Sequence, residues 1–376
     1  MTLSTPPVLR PARLGSINLK NRLGLGPINP GFASPNDAAF SDIVEFYKSY
    51  GASDVGLVYI GGIAVSPEGR SNGRSMVMSD RGTQDLVTSV AQQLEQFECV
   101  LAVQLMHSGR QASSSEIGFP RVAASSIACP YFNELPRAAT EEDLLRVRMD
   151  FQRSAAAAYQ SGAQVIEIHA AHGYLLSGFL SASSNARTDI YGGSIENRFR
   201  FLSDVLRDVR GACGAAVGIR VNVYEQGGGI SPYELSAGLS QISDLFDFVS
   251  VSAGTYSALG DVIIPRRSYG PAPWRSQATI LRKTLGKPVM LCSNIESIDL
   301  VNDIVEKQDA DVALMVRSLL ADPHLLKKWT EGRAVEIQPC TELYMCKYHS
   351  RGATNVYCPH NPYLRKRSLL PRVKAT

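Results

Sequence analysis

No run in this 376-residue chain approaches the ~18 consecutive apolar residues of a membrane-spanning helix, so none is expected. The first twenty residues carry Pro, Arg and Lys but no apolar core, and a secretory signal is not expected in them either. Charge of one sign is scarce. The net charge of +3 offers no reason to expect nucleic acid as a partner. Cysteine is sparse as well: seven thiols, an odd number spread over a long chain, do not suggest a disulfide framework. A reducing cytoplasm is the expected compartment. There is no internal repeat, no low-complexity segment and no separate dinucleotide-binding fingerprint. What remains is an ordinary globular composition, at a length that suits one large α/β barrel or two medium domains.

Short runs rich in Val, Ile and Leu recur through that length, as strands buried on both faces should. Eight are expected: 23–26, 55–61, 100–105, 164–168, 216–221, 246–252, 288–292 and 312–316. Helices fill the gaps. Thr140-Glu-Glu-Asp143 has the form of a capping box opening a helix that stops near Gly162. Ser231-Pro232-Tyr-Glu234 opens another, with Pro at its first position. Phe199, Leu202, Leu206 and Val209 fall at helical spacing and read as barrel packing. The alternation predicts a (β/α)8 TIM barrel with a short C-terminal extension, a doubly wound sheet being the alternative. A barrel should carry its polar chemistry just past the strand ends. Gln104 and His107 follow the third run, His169 and His172 the fourth, Arg220 the fifth and Arg317 the eighth. Residues 111–139 form a long irregular loop of the kind that carries substrate contacts.

The fourth strand end is the most telling. Val165-Ile-Glu-Ile168 delivers His169, His172 and Tyr174 within six residues. Packing a buried strand does not call for such a cluster. Hydrogen-bonding an oxygen and handing over a proton does. A zinc site is the metal alternative for HxxH, but no third ligand lies at a recognisable spacing and Tyr174 is then unexplained. A pair of satisfied core histidines is the bland alternative, as is a barrel-mouth ion pair for Arg220 and simple packing for Tyr174.

The stretch His169-Ala-Ala-His172-Gly-Tyr174, followed by Asn185-Ala-Arg187-Thr-Asp189-Ile-Tyr191-Gly-Gly-Ser-Ile-Glu196-Asn197-Arg198-Phe-Arg-Phe201, resembles the signature of the Old Yellow Enzyme family of FMN-dependent oxidoreductases. That family includes the barrels of 2,4-dienoyl-CoA reductase and trimethylamine dehydrogenase. The resemblance runs from Leu14 to about Pro323. It implies that Gln104, in Gln104-Leu-Met-His107-Ser-Gly-Arg110, hydrogen-bonds the flavin pyrimidine ring, and that Arg220 lies near flavin N1 and O2. A cation there stabilises the charge that collects at that edge on reduction. His169 and His172 match the pair that holds a substrate oxygen, and Tyr174 matches the proton donor. Pro27 and Ile28 close the first strand; Ser293 and Asn294, with Val316 and Arg317, take the positions of two phosphate-gripping loops. NADPH or NADH would reduce the FMN and leave before the second substrate binds.

Three departures stand out. The phosphate loops of the family usually contain glycine where Ser293 and Val316 stand, so a Cβ now occupies space where backbone would approach phosphate. Ile28 offers no polar group where relatives often carry a flavin-tuning residue; Asn29 is the nearby candidate. Third, Cys340-Thr-Glu-Leu343-Tyr-Met-Cys346 and Cys358-Pro-His-Asn361-Pro362 resemble the Fe–S motif of the dienoyl-CoA reductase branch with its second cysteine replaced by Leu343. A cluster prefers four thiolates, so a degenerate motif without a cluster is expected, His349 being a substitute ligand otherwise. Those relatives continue into nucleotide-binding domains, whereas this sequence stops at Thr376. The basic run from Arg365 to Lys374 reads as a solvated tail.

The expectation is thus a barrel over residues 1–335, with an extension over 336–376. It would reduce the activated C=C of an α,β-unsaturated carbonyl compound, or run the reverse desaturation. A small-molecule substrate and further copies of the same chain are the expected partners. An amine dehydrogenase or demethylase is the second reading. The third is a barrel that has lost FMN and serves as a binding or scaffold subunit.

Overall fold

The computed structural model describes residues 5–28, 37–256, 262–343, 346 and 356–364. Eight parallel strands close into a barrel: β1 (Leu23–Leu25), β2 (Leu57–Ala64), β3 (Val100–Met106), β4 (Val165–Ala170), β5 (Ala216–Asn222), β6 (Phe248–Ser252), β7 (Val289–Cys292) and β8 (Val312–Met315). Each pairs with its neighbour in sequence, and β8 returns to β1 through Ala313 opposite Leu23. All eight expected strands are present. The largest shift is in β2, which runs through Gly61–Gly62 to Ala64, with its register against β3 slipping between Ile60 and Ile63. Those glycines mark an irregularity inside the strand rather than its end.

Among the described residues seven main helices flank the barrel: α1 (Asp37–Gly51), α2 (Arg81–Glu95), α3 (Glu141–Gln160), α4 (Ile195–Ala212), α5 (Pro232–Gln241), α6 (Arg275–Leu285) and α7 (Ile298–Glu306). Both capping boxes form. The Thr140 hydroxyl accepts from the Asp143 N–H, and Ser231 accepts from Glu234, satisfying donors that a helix start leaves open. Phe199, Leu202, Leu206 and Val209 are buried along α4.

The two-residue period of the strands sorts their side chains into two cores. Leu101, Val103 and Leu105 of β3, like Ile166 and Ile168 of β4, face outward into the large core beneath the helices. Val100 and Ala102, with Val165 and Ala216, face inward. An antiparallel hairpin, Ala12–Leu14 with Ile17–Leu19, adds Leu14 and Leu19 to this inner core. Higher on the same inward rows the residues turn polar: Gln104 on β3, Glu167 and His169 on β4, Arg220 on β5, Ser250 and Ser252 on β6. All are buried.

The C-terminal segment packs on this frame. Val356 and Leu364 join the large core, Asn361 Nδ2 donates to the Leu320 carbonyl at 2.9 Å, and Arg267 donates to the Cys340 carbonyl at 2.8 Å. Among the described residues no helix is long and apolar enough to cross a membrane.

Candidate active site

One cavity at the carboxyl ends of the strands gathers every residue to which the sequence assigned a flavin or catalytic role: Tyr174, His169, His172, Gln104, Arg220, Pro27, Ile28, Ser293, Asn294, Val316 and Arg317. Asn29, the alternative tuning residue, lies outside the described residues.

His169 ends an inward row of β4. Its Nδ1 accepts the Ala171 backbone N–H at 3.2 Å, which assigns the ring proton to Nε2. His172 lies past the strand in the left-handed region, φ +62°, and its N–H donates to Asn222 Oδ1 at 3.0 Å. Its Nε2 lies 2.7 Å from Ser252 Oγ, and that hydroxyl accepts from Arg220 Nη2 at 3.3 Å. With the Ser252 proton directed to Nε2, His172 carries its own proton on Nδ1. Burial depresses both imidazoles well below the ordinary histidine range, with the Arg220 charge adding to the effect. Both are therefore neutral, and each keeps one N–H donor. Gly173, at φ +75°, makes the turn between His172 and Tyr174; a Cβ there would lie 2.1 Å from Gln111 Nε2.

Tyr174 packs against His169 with ring centroids 4.7 Å apart, and the two histidine rings are 4.9 Å apart. Burial first, then the neighbouring Tyr256, raises the Tyr174 phenol well above its ordinary range. It is protonated at neutral pH.

Beneath them lies a group that sequence reasoning missed. Glu167, fully buried, accepts from Gln104 Nε2 at 2.6 Å and from the Tyr59 hydroxyl at 3.0 Å, and Ser250 Oγ also donates to it. Its place two residues before His169 put it on the same inward row, and that parity was the available signal. The Gln104 amide is thereby oriented with its nitrogen towards Glu167, leaving Oε1 near Gly62 at the cavity wall. Burial works against the charge on Arg220, but Cys292 and Glu167 outweigh it and hold the pKa above the ordinary value. Arg220 Nη1 is buried without a hydrogen-bond partner among the described residues.

On the β7–β8 side, Ser293 and Asn294 both take left-handed backbone, φ +95° and +47°. The turn that glycine favours is thus kept without glycine. Arg317 Nη1 binds Glu342 Oε1 at 2.9 Å, and Nη2 donates to the Pro265 carbonyl at 3.0 Å and to Asn294 Oδ1. Glu296 stands 3.8 Å from the same guanidinium. The sequence did not foretell that two carboxylates would surround this cation.

Cys340, Cys346, Cys358 and Leu343 line a separate small cavity together with His360. Among the described residues no group of three or more His, Cys, Asp or Glu side chains is placed to hold a metal ion. His349 and the basic run 365–374 lie outside the described residues.

The profile of the NADH:flavin oxidoreductase / NADH oxidase family matches residues 7–336. The chain belongs to that family. Its barrel is an Old Yellow Enzyme-like TIM barrel, and the family's cofactors are FMN and a reduced nicotinamide nucleotide. A metal reductase of Desulforamulus reducens is 30% identical over 338 residues, 88% of this chain but 49% of that protein. An NADPH dehydrogenase of Clostridium acetobutylicum is 29% identical over 314 residues, 82% of this chain and 90% of its own length. The chain thus spans about half the length of the first of these and most of the second. Among solved structures, a 2-naphthoyl-CoA reductase complex superposes with TM-score 0.88 at 23% identity, over 95% of this chain and 57% of that one. An old yellow enzyme homologue from Zymomonas mobilis does so with TM-score 0.73 at 22% identity, over 87% and 93%. At those identities the likeness is one of fold.

The cavity fits FMN on its ring side, where the orphaned Arg220 Nη1 and the outward Gln104 Oε1 await an acceptor and a donor. Arg317, Ser293 and Asn294 line the side suited to phosphate, though Arg317 is already paired.

Proposed function

We propose that this chain is an FMN-dependent NAD(P)H oxidoreductase of the ene-reductase type, acting on an activated C=C beside a carbonyl or similar oxygen. Residues 1–335 make up the catalytic barrel domain in this reading, with 336–376 as a C-terminal extension. One observation carries it: two neutral imidazole N–H donors and a protonated phenol share one wall of a flavin-family cavity.

When bound, reduced FMN supplies the hydride. Gln104 and Arg220 hold the flavin's pyrimidine edge, and Arg220 stabilises the negative charge that reduction leaves there. His169 Nε2–H and His172 Nδ1–H together bind the substrate oxygen and draw electron density from the conjugated double bond, which makes its β-carbon electrophilic. Because both rings are neutral, they bind oxygen by hydrogen bonding without protonating it. Tyr174 holds the proton that goes to the α-carbon. Tyr174, Tyr256, Ile263 and Ile264 line the cavity and exclude water from the reacting atoms.

The test is anaerobic. NADPH or NADH should bleach the flavin absorbance of the purified, FMN-loaded protein, and 2-cyclohexen-1-one should restore it with formation of the saturated ketone. Bleaching of the oxidised flavin by a secondary or tertiary amine, with no reoxidation by the enone, would favour the amine dehydrogenase reading. A protein that takes up no FMN would favour the scaffold reading.

A further inference from the structure

The ene-reductase reading leaves one proton unaccounted for. Each turnover strips Tyr174 of its hydroxyl proton, and Tyr174 is only 7% exposed. A phenolate buried in that position is costly and must be reprotonated before the next cycle. Few groups reach it. His169 lies against the ring, but its imidazole is neutral and its remaining N–H belongs to the substrate oxygen. The Ser71 hydroxyl also bonds Tyr174, and is itself 3.1 Å from Ser75 Oγ. An aliphatic alcohol is a far weaker acid than a phenol, so donation from Ser71 would leave an unfavourable alkoxide.

Tyr256 is matched to the task. Its hydroxyl lies 3.1 Å from the Tyr174 hydroxyl. Transfer between two phenols is close to thermoneutral, where transfer from serine is steeply uphill. Tyr256 is half-buried, and its ring packs 6.3 Å from that of Tyr131, which is 43% exposed. It therefore stands between the buried acid and water. It is also held in place. Cys129 Sγ, with its single S–H, lies 3.4 Å from the Tyr256 carbonyl and 2.7 Å from Gln111 Oε1, and Gln111 Nε2 donates to the His172 carbonyl at 3.3 Å. The loop after β3 thus fastens Tyr256 to the turn that carries the histidine pair.

We propose that Tyr256 is the proton relay of this site, returning a proton to the Tyr174 phenolate after each reduction and recovering its own from solvent. The balance closes. The reduced nicotinamide gives two electrons and one proton as hydride, through the flavin, to the β-carbon. Tyr174 gives a proton to the α-carbon. The Tyr256 O–H bond breaks as the Tyr174 O–H bond re-forms, and one solvent proton restores Tyr256. Tyr256 acts through Tyr174, as a positioning and relay residue.

The experiment uses FMN-loaded Y256F, with S71A and Y174F alongside, and 2-cyclohexen-1-one as oxidant. In stopped flow, the first reoxidation of pre-reduced Y256F is expected within about twofold of wild type, because Tyr174 still starts with its proton. Steady-state kcat is expected to fall roughly tenfold or more with KM little changed, on the scale of lost proton-transfer assistance. It should also acquire a solvent deuterium isotope effect and rise with added imidazolium buffer. S71A should behave as wild type. FMN content and circular dichroism should be unchanged in all three. Y256F with wild-type kcat overturns the relay. So does an equal loss in the first and later turnovers, which marks a structural role, or a multiple-turnover defect confined to S71A. Failure of the ene-reductase reading looks different: wild type is then not reoxidised by the enone at all, or Y174F is reoxidised as fast as wild type.

Discussion

The two sides of the cavity are built on different principles. The ring side rests on strands. Gln104, Glu167, His169, Arg220, Ser250 and Ser252 occupy inward rows of β3 to β6, where backbone pairing fixes each Cβ. The side suited to phosphate rests on loops after β7 and β8, where Ser293 and Val316 stand at positions the sequence resemblance leads one to expect as glycine, and Arg317 is enclosed by Glu342 and Glu296. Chemistry borne on strands has little freedom to vary, because a one-residue slip would turn every group out of the site. A grip made of loop backbone and one guanidinium can be rebuilt piecemeal. The comparison teaches that side chains set by strand register are fixed more tightly than a grip assembled from loop backbone and one guanidinium.

Variants can break that contrast or sharpen it. The largest effect is expected on the ring side. Tyr174→Phe removes the phenol that donates to the α-carbon in the proposed reading and should lower enone reduction by about 10²–10⁴-fold, with flavin binding unchanged by absorbance titration. His169→Ala and His172→Ala each remove one oxygen donor. Each should cost roughly 2.7–4 kcal/mol in kcat/KM for the enone, while reduction by NADPH is affected less. Both imidazoles are already held neutral, so kcat/KM should stay flat from pH 8 down through the ordinary histidine pKa. It should fall only in more acidic solution, where protonation of the buried rings is forced. A bell with an acid limb near pH 6.5 would contradict the neutral pair.

On the phosphate side the expected changes are smaller and of opposite sign. Glu342→Gln removes the nearer of the two carboxylates beside the Arg317 guanidinium. FMN affinity should rise by about 0.5–1 kcal/mol, several-fold in Kd, since the pair is partly solvent-screened. Val316→Gly should tighten FMN by a similar or lesser amount, as backbone gains closer approach. Equilibrium titration of the flavin-free protein reads both. Weaker binding in E342Q would mean that Glu342 orients Arg317 for phosphate rather than competing with it.

What could be read from the sequence follows the same division. Eight apolar runs, two capping boxes and the helical spacing of α4 are local patterns, and each has its counterpart in the fold. The assigned residues meet in one cavity because strand ends in a barrel converge by topology. Glu167 escaped notice because a lone glutamate in an apolar run carries no local sign of its partners, Tyr59 and Ser250, which arrive from β2 and β6. The contacts of Tyr256, whose segment 256–274 read only as a region of specificity, and of Glu342 escaped for a related reason: their partners lie 82 and 25 residues away across irregular chain, where no period links them. The end of β2 was misplaced because a glycine pair is the same punctuation whether it stops a strand or kinks one.

Ser252 touches both halves of the chemistry with a single oxygen. Arg220 and His172 both bond the same hydroxyl, and in the proposed reading the first answers the charge on the flavin and the second the charge on the substrate. A rise in charge at one is felt by the other through two hydrogen bonds, with no backbone moving. In that reading, flavin potential and substrate affinity are coupled through Ser252. Selection for an easier reduction arrives with an altered appetite for oxygen-bearing ligands, and a drift in specificity leaves its mark in millivolts.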